Sequence, residues 1–262
     1  MILAAAEAGH TKSLISALGS IKNIDFKDDL KETALHKAAA NGHQDIVQLL
    51  LDKGASIEAK NKHKNTPLHL AAWGNHTNIM KLLLEQDASV QAMNMMKNTP
   101  LHLTAQKGHI HGAELLLWKS ASIEAKNDAK HTPLYFAASN GHTNMVKLLL
   151  RKGASIEAKG RYNSTPLHRA ARYGHTDMVE LLLKKGALIE VVDTYNNTAL
   201  HFAVRYGHTN TVKLLLEKGS PIEVRNGASD TPLDDAVKRG HTKIVQLLKN
   251  NAAKLAAHGN RA

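Results

Sequence analysis

Apolar positions along this chain come in paired blocks. The first block is short and small: Leu68, Ala71 and Ala72, for example, fall within seven residues of one another. The second is denser, as in Ile79, Met80, Leu82, Leu83 and Leu84. A glycine and histidine separate the two blocks, and a polar stretch follows before the pattern restarts. This spacing predicts two short helices per cycle, the first with a small-residue face and the second buried between layers. Thr66 suits a helix N-cap, where its hydroxyl accepts an orphan backbone N–H. Pro67 suits the first helical position, where a missing N–H costs nothing. The Gly-Ala pair at Gly54 and Ala55 ends a second helix, and Ser-Ile-Glu-Ala-Lys leads toward a β-turn.

The cycle has a fixed length of 33 residues. Its opening threonine stands at Thr33, Thr66, Thr99, Thr132, Thr165, Thr198 and Thr231, and the fullest phrase is Thr-Pro-Leu-His-Leu-Ala from Thr66 to Ala71. A Gly-His pair keeps the same beat at Gly42-His43, Gly108-His109, Gly141-His142, Gly174-His175, Gly207-His208 and Gly240-His241. Repeats of this period build solenoids, in which each unit buries its apolar face only against its neighbours. The period and the two phrases resemble the ankyrin repeat. The resemblance implies an all-α fold: an ankyrin-repeat solenoid of stacked helix–turn–helix units with β-turn tips, forming one domain over residues 1–262. Its units would be a partial repeat at 1–27, repeats at 28–60, 61–93, 94–126, 127–159, 160–192 and 193–225, a capping repeat at 226–251 and a tail at 252–262. The partial repeat retains Ala8-Gly9-His10, Leu14 and Leu18, and the capping repeat carries Asp234, Asp235 and Lys249 where other repeats have His or apolar residues. The tail reads as a helical extension or a frayed end.

Two departures carry expectations of their own. The column two residues before the threonine, often glycine in ankyrin repeats, holds Lys31, Lys64, Lys97, Lys130, Asn163, Asn196 and Ser229. Lysine adopts positive φ only at some cost, so the tips are expected to be less regular than the family norm. In the repeat at 94–126, Gly112 and Ala113 replace larger apolar residues and Trp118 sits at a normally polar column. Ser120, and Asp87 in the repeat before, replace helix-ending glycines. Lost volume and strained backbone predict a weak layer there.

Composition narrows the function. The chain has no cysteine, which removes disulfides and thiolate metal sites and suits a reducing compartment. No basic segment followed by a long apolar run marks a signal peptide, and no stretch is long and apolar enough to span a membrane. An intracellular location is expected, in cytoplasm or nucleus, or in a host cell if the chain is a bacterial effector. Thirteen of the 17 histidines fall in the two repeat columns, where the resemblance implies structural use; His109 and His111 lack a third ligand nearby. Glu58, Glu124, Glu157, Glu190 and Glu223 recur at one column as a solvated or structural row. No nucleophile elbow, phosphate loop or zinc-protease motif is present. Neither catalysis, metal nor cofactor is expected.

Charge and the variable columns point to binding. Residues 129–262 hold 20 Lys and Arg against 10 Asp and Glu, whereas residues 1–128 hold 14 against 13. The excess suggests an acidic partner for the second half, with plain solubility as the other reading. Ankyrin proteins mostly bind through the turn tips and the inner face of the first helix. That resemblance implies contacts from Trp73, Lys107, Arg172, Tyr173, Arg205, Tyr206, Lys238 and Arg239 on first helices, with Lys37, Arg169 and Asp235 in the adjoining column. Tip residues implied are Met95, Met96, Arg161, Tyr162 and Tyr195. Two groupings result: an Arg/Tyr ladder on a concave face (Arg161, Tyr162, Arg169, Arg172, Tyr173, Tyr195, Arg205, Tyr206, Lys238, Arg239) and a methionine cluster at Met93, Met95 and Met96. Tyr and Arg are enriched in binding hot spots, and methionine suits an adaptable apolar contact. The expected function is a monomeric, non-enzymatic module for an acidic protein or peptide. The alternatives are nucleic acid or anionic lipid on the basic half, and a scaffold segment within a larger protein or bacterial effector.

Overall fold

The computed structural model describes residues 1–19 and 23–259. Its contacts resolve two compact units, Met1–Ala129 and Lys130–Ala262. The first contains α1 (Ile2–Ala8), α2 (Thr11–Leu18), α3 (Ala34–Asn41), α4 (Gln44–Asp52), α5 (Pro67–Trp73), α6 (Thr77–Glu85), α7 (Pro100–Lys107) and α8 (Ile110–Trp118). The second contains α9 (Pro133–Ser139), α10 (Thr143–Arg151), α11 (Pro166–Arg172), α12 (Thr176–Lys184), α13 (Ala199–Arg205), α14 (Thr209–Glu217), α15 (Pro232–Lys238) and α16 (Thr242–Gly259). No strand occurs among the described residues. Within each unit, first helices pack on first helices and second helices on second helices. The predicted tail at 252–262 continues α16 through Gly259, so it is a helical extension; residues 260–262 lie outside the described part, as do 20–22 of the partial repeat.

Each half of the repeat phrase has a mechanical reason. The histidine of Thr-Pro-Leu-His reaches in two directions at once. His69 Nδ1 accepts the Thr66 N–H at 3.2 Å and stands 2.9 Å from the Thr66 hydroxyl, while its Nε2 donates to the Asn98 carbonyl at 3.0 Å, in the next repeat. His36, His168 and His201 make the same pair of links. The ring thus closes a helix N-terminus and pins the following tip. It is also buried: burial holds His36, His168 and His201 below the usual imidazole range and brings His69 down to about 4. Asp234 closes the same box with a carboxylate, accepting the Thr231 N–H at 2.9 Å and hydroxyl at 2.8 Å.

The Gly-His pair is a contact between repeats as well as a helix stop. His76 Nε2 donates to the Ala40 carbonyl at 3.0 Å, which lays the ring on Gly42. A Cβ built on Gly42 would meet that ring at 2.7 Å, and Gly42 also has φ of 81°. Only glycine meets both demands. The small first-helix face is explained by Ala38, Ala39, Ala71 and Ala72, all fully buried. The second helices supply the larger buried residues, Ile46, Val47 and Leu50 in α4 and Met178, Val179 and Leu182 in α12.

The tips are more regular than their sequence suggests. Lys31, Lys64, Lys97, Lys130, Asn163, Asn196 and Ser229 all take positive φ, between 57° and 64°. A side chain three positions earlier stabilises that geometry. Asn61 Oδ1, for instance, accepts the N–H groups of His63 and Asn65 at 3.0 Å each, and Asp28, Asn94, Asp193 and Asn226 repeat the arrangement. One tip lacks this staple because its first residue is Gly160. There Arg161–Asn163 form a 3-10 turn, and Tyr162 joins Asn163 in the left-handed region, with φ of 59°. The repeat at 94–126 is also better filled than expected: Met80 Sδ and Thr104 Cγ2 close on Gly112, each 3.2 Å from where a Cβ would stand.

Candidate functional site

The Lys130–Ala262 unit draws much of the Arg/Tyr ladder into one depression. Its cavity of about 340 Å³ is lined by Arg161, Tyr162, Arg169, Arg172, Tyr173, Tyr195 and Arg205, together with His131, Tyr135, Ser164, Asp193, Asn197 and Phe202. The 3-10 turn after Gly160 supplies Arg161 and Tyr162, the first helix α11 supplies Arg169 and Arg172, and the following tip supplies Tyr195.

The arginines rest on aromatic faces. Arg169 lies between Tyr173 and Tyr135, its guanidinium 4.8 and 5.2 Å from their ring centroids. It donates from Nε to the Ser139 hydroxyl at 3.2 Å and from Nη2 to the Tyr173 hydroxyl at 2.7 Å. Arg172 sits 4.8 Å from the Tyr206 ring, and Arg161 4.8 Å from the Tyr162 ring. The Tyr162 and Tyr195 ring centroids lie 5.4 Å apart, with the rings tilted by 52°. A stacked guanidinium uses its face and leaves its edge N–H groups for an anion. None of Arg161, Arg169 and Arg172 forms an ion pair with a described carboxylate. Asp193 lines the depression but turns its carboxylate to the backbone, accepting the N–H groups of Tyr195 at 2.8 Å and Asn197 at 2.9 Å.

Three members of the ladder are otherwise engaged. Arg205 lines the depression, yet its Nη2 is 3.0 Å from Asp235 Oδ2 and its charge is matched there. Arg239 Nε lies 3.3 Å from the other Asp235 oxygen, and Lys238 is paired with Asp230. Neither Arg239 nor Lys238 lines the depression. Asp235 itself is buried, a charge hub and not an exposed cap residue. In the other unit, Lys37 is likewise occupied, by Glu32 at 3.0 Å, Asp28 at 3.2 Å and Glu7 at 3.8 Å; these partners raise its pKa, the Glu32 hydrogen bond foremost.

Sequence reading missed Tyr135 and its setting. Tyr135 stands where most repeats have the bridging histidine and is 4% exposed. Burial pushes its phenol up, so it stays neutral. His131 stacks on it at 3.8 Å. A Cβ on Gly160 would meet His131 Cδ2 at 2.7 Å and Tyr135 Cε2 at 2.8 Å. The larger ring at 135 therefore requires the missing side chain at 160, and that glycine removes the tip staple that would hold Arg161 and Tyr162 in the common pattern. The signal was the break in the phrase at Thr132-Pro-Leu-Tyr.

The Met1–Ala129 unit gathers a different set at the same columns. A cavity of about 410 Å³ is lined by Leu70, Trp73, Met95, Met96, Leu103, His63, Asn65, Asn94, Asn98 and Gln106. Lys107 Nζ lies 3.9 Å from the Trp73 ring centroid. Trp73, Met95, Met96 and Lys107 were legible as candidates; Leu70 and Leu103 were not. Met93 is exposed but lies outside this cavity. Among the described residues, no group of three or more His, Asp or Glu side chains is placed to hold a metal ion, and no helix is long and apolar enough to cross a membrane.

Stacked helix pairs that present side chains from tips and first helices define a repeat scaffold for binding. The sequence profile described as ankyrin repeats (3 copies) matches residues 1–94, 61–128, 101–193 and 188–258, and the chain belongs to the ankyrin-repeat family. It is similar to the crystal structure of human ASB11 ankyrin repeat domain, with 27% sequence identity, a TM-score of 0.77, and coverage of 84% of this chain and 98% of that one. No curated protein sequence matches the chain. Ankyrin repeats are generally protein–protein interaction modules.

Proposed function

We propose that this protein is a non-enzymatic binding module that takes an acidic peptide or protein surface on the first-helix face of residues 130–262. The observation that carries the reading is the trio Arg161, Arg169 and Arg172, each stacked on tyrosine and none paired with a carboxylate. Arg161 and Arg172 keep edge donors that match a carboxylate with two parallel bonds, whereas Arg169 spends Nε and Nη2 on the Ser139 and Tyr173 hydroxyls. The rings beside them add desolvated contact area of the kind that anchors protein interfaces. The formal charge of the 129–262 half favours an acidic guest on encounter. The cavity is a depression and not an extended basic groove with a series of stacking platforms, which favours a protein over a nucleic-acid strand.

The test is capture from cell lysate by the tagged full chain and by an Arg161→Glu, Arg172→Glu variant, with and without nuclease, after circular dichroism shows both folded. A protein retained after nuclease and lost in the variant supports the reading. Capture abolished by nuclease replaces it with nucleic-acid binding. Equal capture by both proteins removes the Arg/Tyr depression from consideration.

A further inference from the structure

The apolar depression of the Met1–Ala129 unit is not used by the function proposed above, and its chemistry differs. Met95 and Met96 are more than half exposed on their tip, and no other repeat places methionine in either column. Trp73 is 44% exposed on the adjoining first helix. Exposed sulfur and indole that converge on one cavity present a costly apolar surface unless something covers it. At about 410 Å³ the cavity falls within the range of about 300–1,000 Å³ that holds small ligands or single anchoring groups.

We infer that this cavity is a docking site for a peptide segment carrying one large apolar side chain next to a carboxylate. The apolar residue would enter between Trp73 and the two methionines, whose thioethers adapt to varied shapes. Lys107 sets the second requirement. Its ammonium rests on the Trp73 ring at 3.9 Å and has no carboxylate partner among the described residues, so it offers its charge beside the anchor. The cavity lining carries no carboxylate. Charge argues against a second copy of this chain as occupant, because each copy carries a formal net charge of +11. A nucleic-acid strand would find no arginine in the lining.

The experiment is selection of a displayed random-peptide library on the full chain, followed by fluorescence-polarisation titration of the enriched peptides. The variants are Met95→Asp with Met96→Asp, Lys107→Glu, and Arg169→Glu with Arg172→Glu. The expected result is a peptide family pairing a large apolar residue with Asp or Glu. It would bind the arginine variant as it binds the wild type, and would lose about ten-fold or more on the methionine variant. Lys107→Glu would cost less, about three- to ten-fold. A Trp118→Phe chain leaves Trp73 as the single indole, and its emission should shift when these peptides bind. Three results overturn the inference: no enriched family, enriched peptides that lose binding only in the arginine variant, or methionine-dependent peptides without an apolar residue. Retention of the Trp73 shift by the methionine variant would do so as well.

Discussion

Two regions at equivalent columns of the repeat have been given opposite chemistry. In residues 61–107 the tip and first helix present Trp73, Met95 and Met96, with Lys107 resting on the indole. In residues 160–206 the same columns present Arg161, Tyr162, Arg172, Tyr173 and Tyr206. The backbone beneath them shares a threonine-capped helix, a left-handed helix stop and a tip with positive φ two residues before the threonine, and the tip at 160 adds a second left-handed residue, Tyr162. Repeat architecture separates the residues that hold the stack from those that face a partner, so one set can stay fixed while the other varies. Fold and specificity are then written in different columns.

The comparison is sharpest where the holding residues themselves differ, and the largest effect expected there comes from acid. Buried His69 has a pKa of about 4, against an ordinary value of 6.5, and burial lowers His36, His168 and His201 too. Between those values the unfolded chain binds the proton and the folded chain does not, so stability is complete above pH 6.5 and falls as pH drops toward 4. His69 alone accounts for roughly 3 kcal/mol over that range. Both tryptophans lie in the Met1–Ala129 unit, so urea unfolding followed by their fluorescence reports it directly. The midpoint should be markedly lower at pH 4.5 than at pH 7; a midpoint unchanged with pH would show that the histidine bridges do not govern acid stability.

A smaller effect is expected at the tip without a staple. Gly160→Asn restores the residue type of the other tips but places a Cβ against His131 and Tyr135. It should destabilise by about 1–3 kcal/mol and weaken binding of an acidic ligand by moving Arg161 and Tyr162. Adding Tyr135→His should recover part of the loss, and a double-mutant cycle by thermal melting would measure the coupling. Strict additivity would mean that the two positions are not a matched pair. The smallest effect is expected at Gly112→Ala. The new methyl presses on Met80, which is flexible, and on Thr104 Cγ2, each at 3.2 Å, while the helix gains about 1 kcal/mol in propensity. The net change should stay within about 0.5 kcal/mol; a loss several times larger in the same melt would show a rigid layer there.

Much of the scaffold was readable from spacing alone, because its physics is local. A threonine three residues before a histidine, a proline between them and a glycine at the stop each act within one turn of helix. The candidate face was readable by column, but which of its charges stand unpaired was not. Arg205 and Arg172 occupy the same column, yet one is neutralised by Asp235, 30 residues away, and the other is not. That difference depends on which side chain of the next repeat meets it, and no single repeat encodes it. Lys238 and Arg239 differ again: each pairs within its own repeat, with Asp230 and Asp235. Expected irregularity at the tips failed because an Asn or Asp side chain, which the column of lysines did not reveal, supplies the missing hydrogen bonds.

The fit of Tyr135 to Gly160 bears on how such a chain can change by recombination. Arrays of similar repeats gain and lose units by unequal exchange, and most joints here would tolerate it, since a histidine from one unit and an asparagine-led tip from the next meet at nearly every boundary. The joint between residues 127–159 and 160–192 would not. A unit copied from there and set beside an ordinary tip would press tyrosine against an occupied position, and an ordinary unit set before Gly160 would face a gap. Exchanging either repeat for another would break this fit and disturb the arginine-lined depression it shapes.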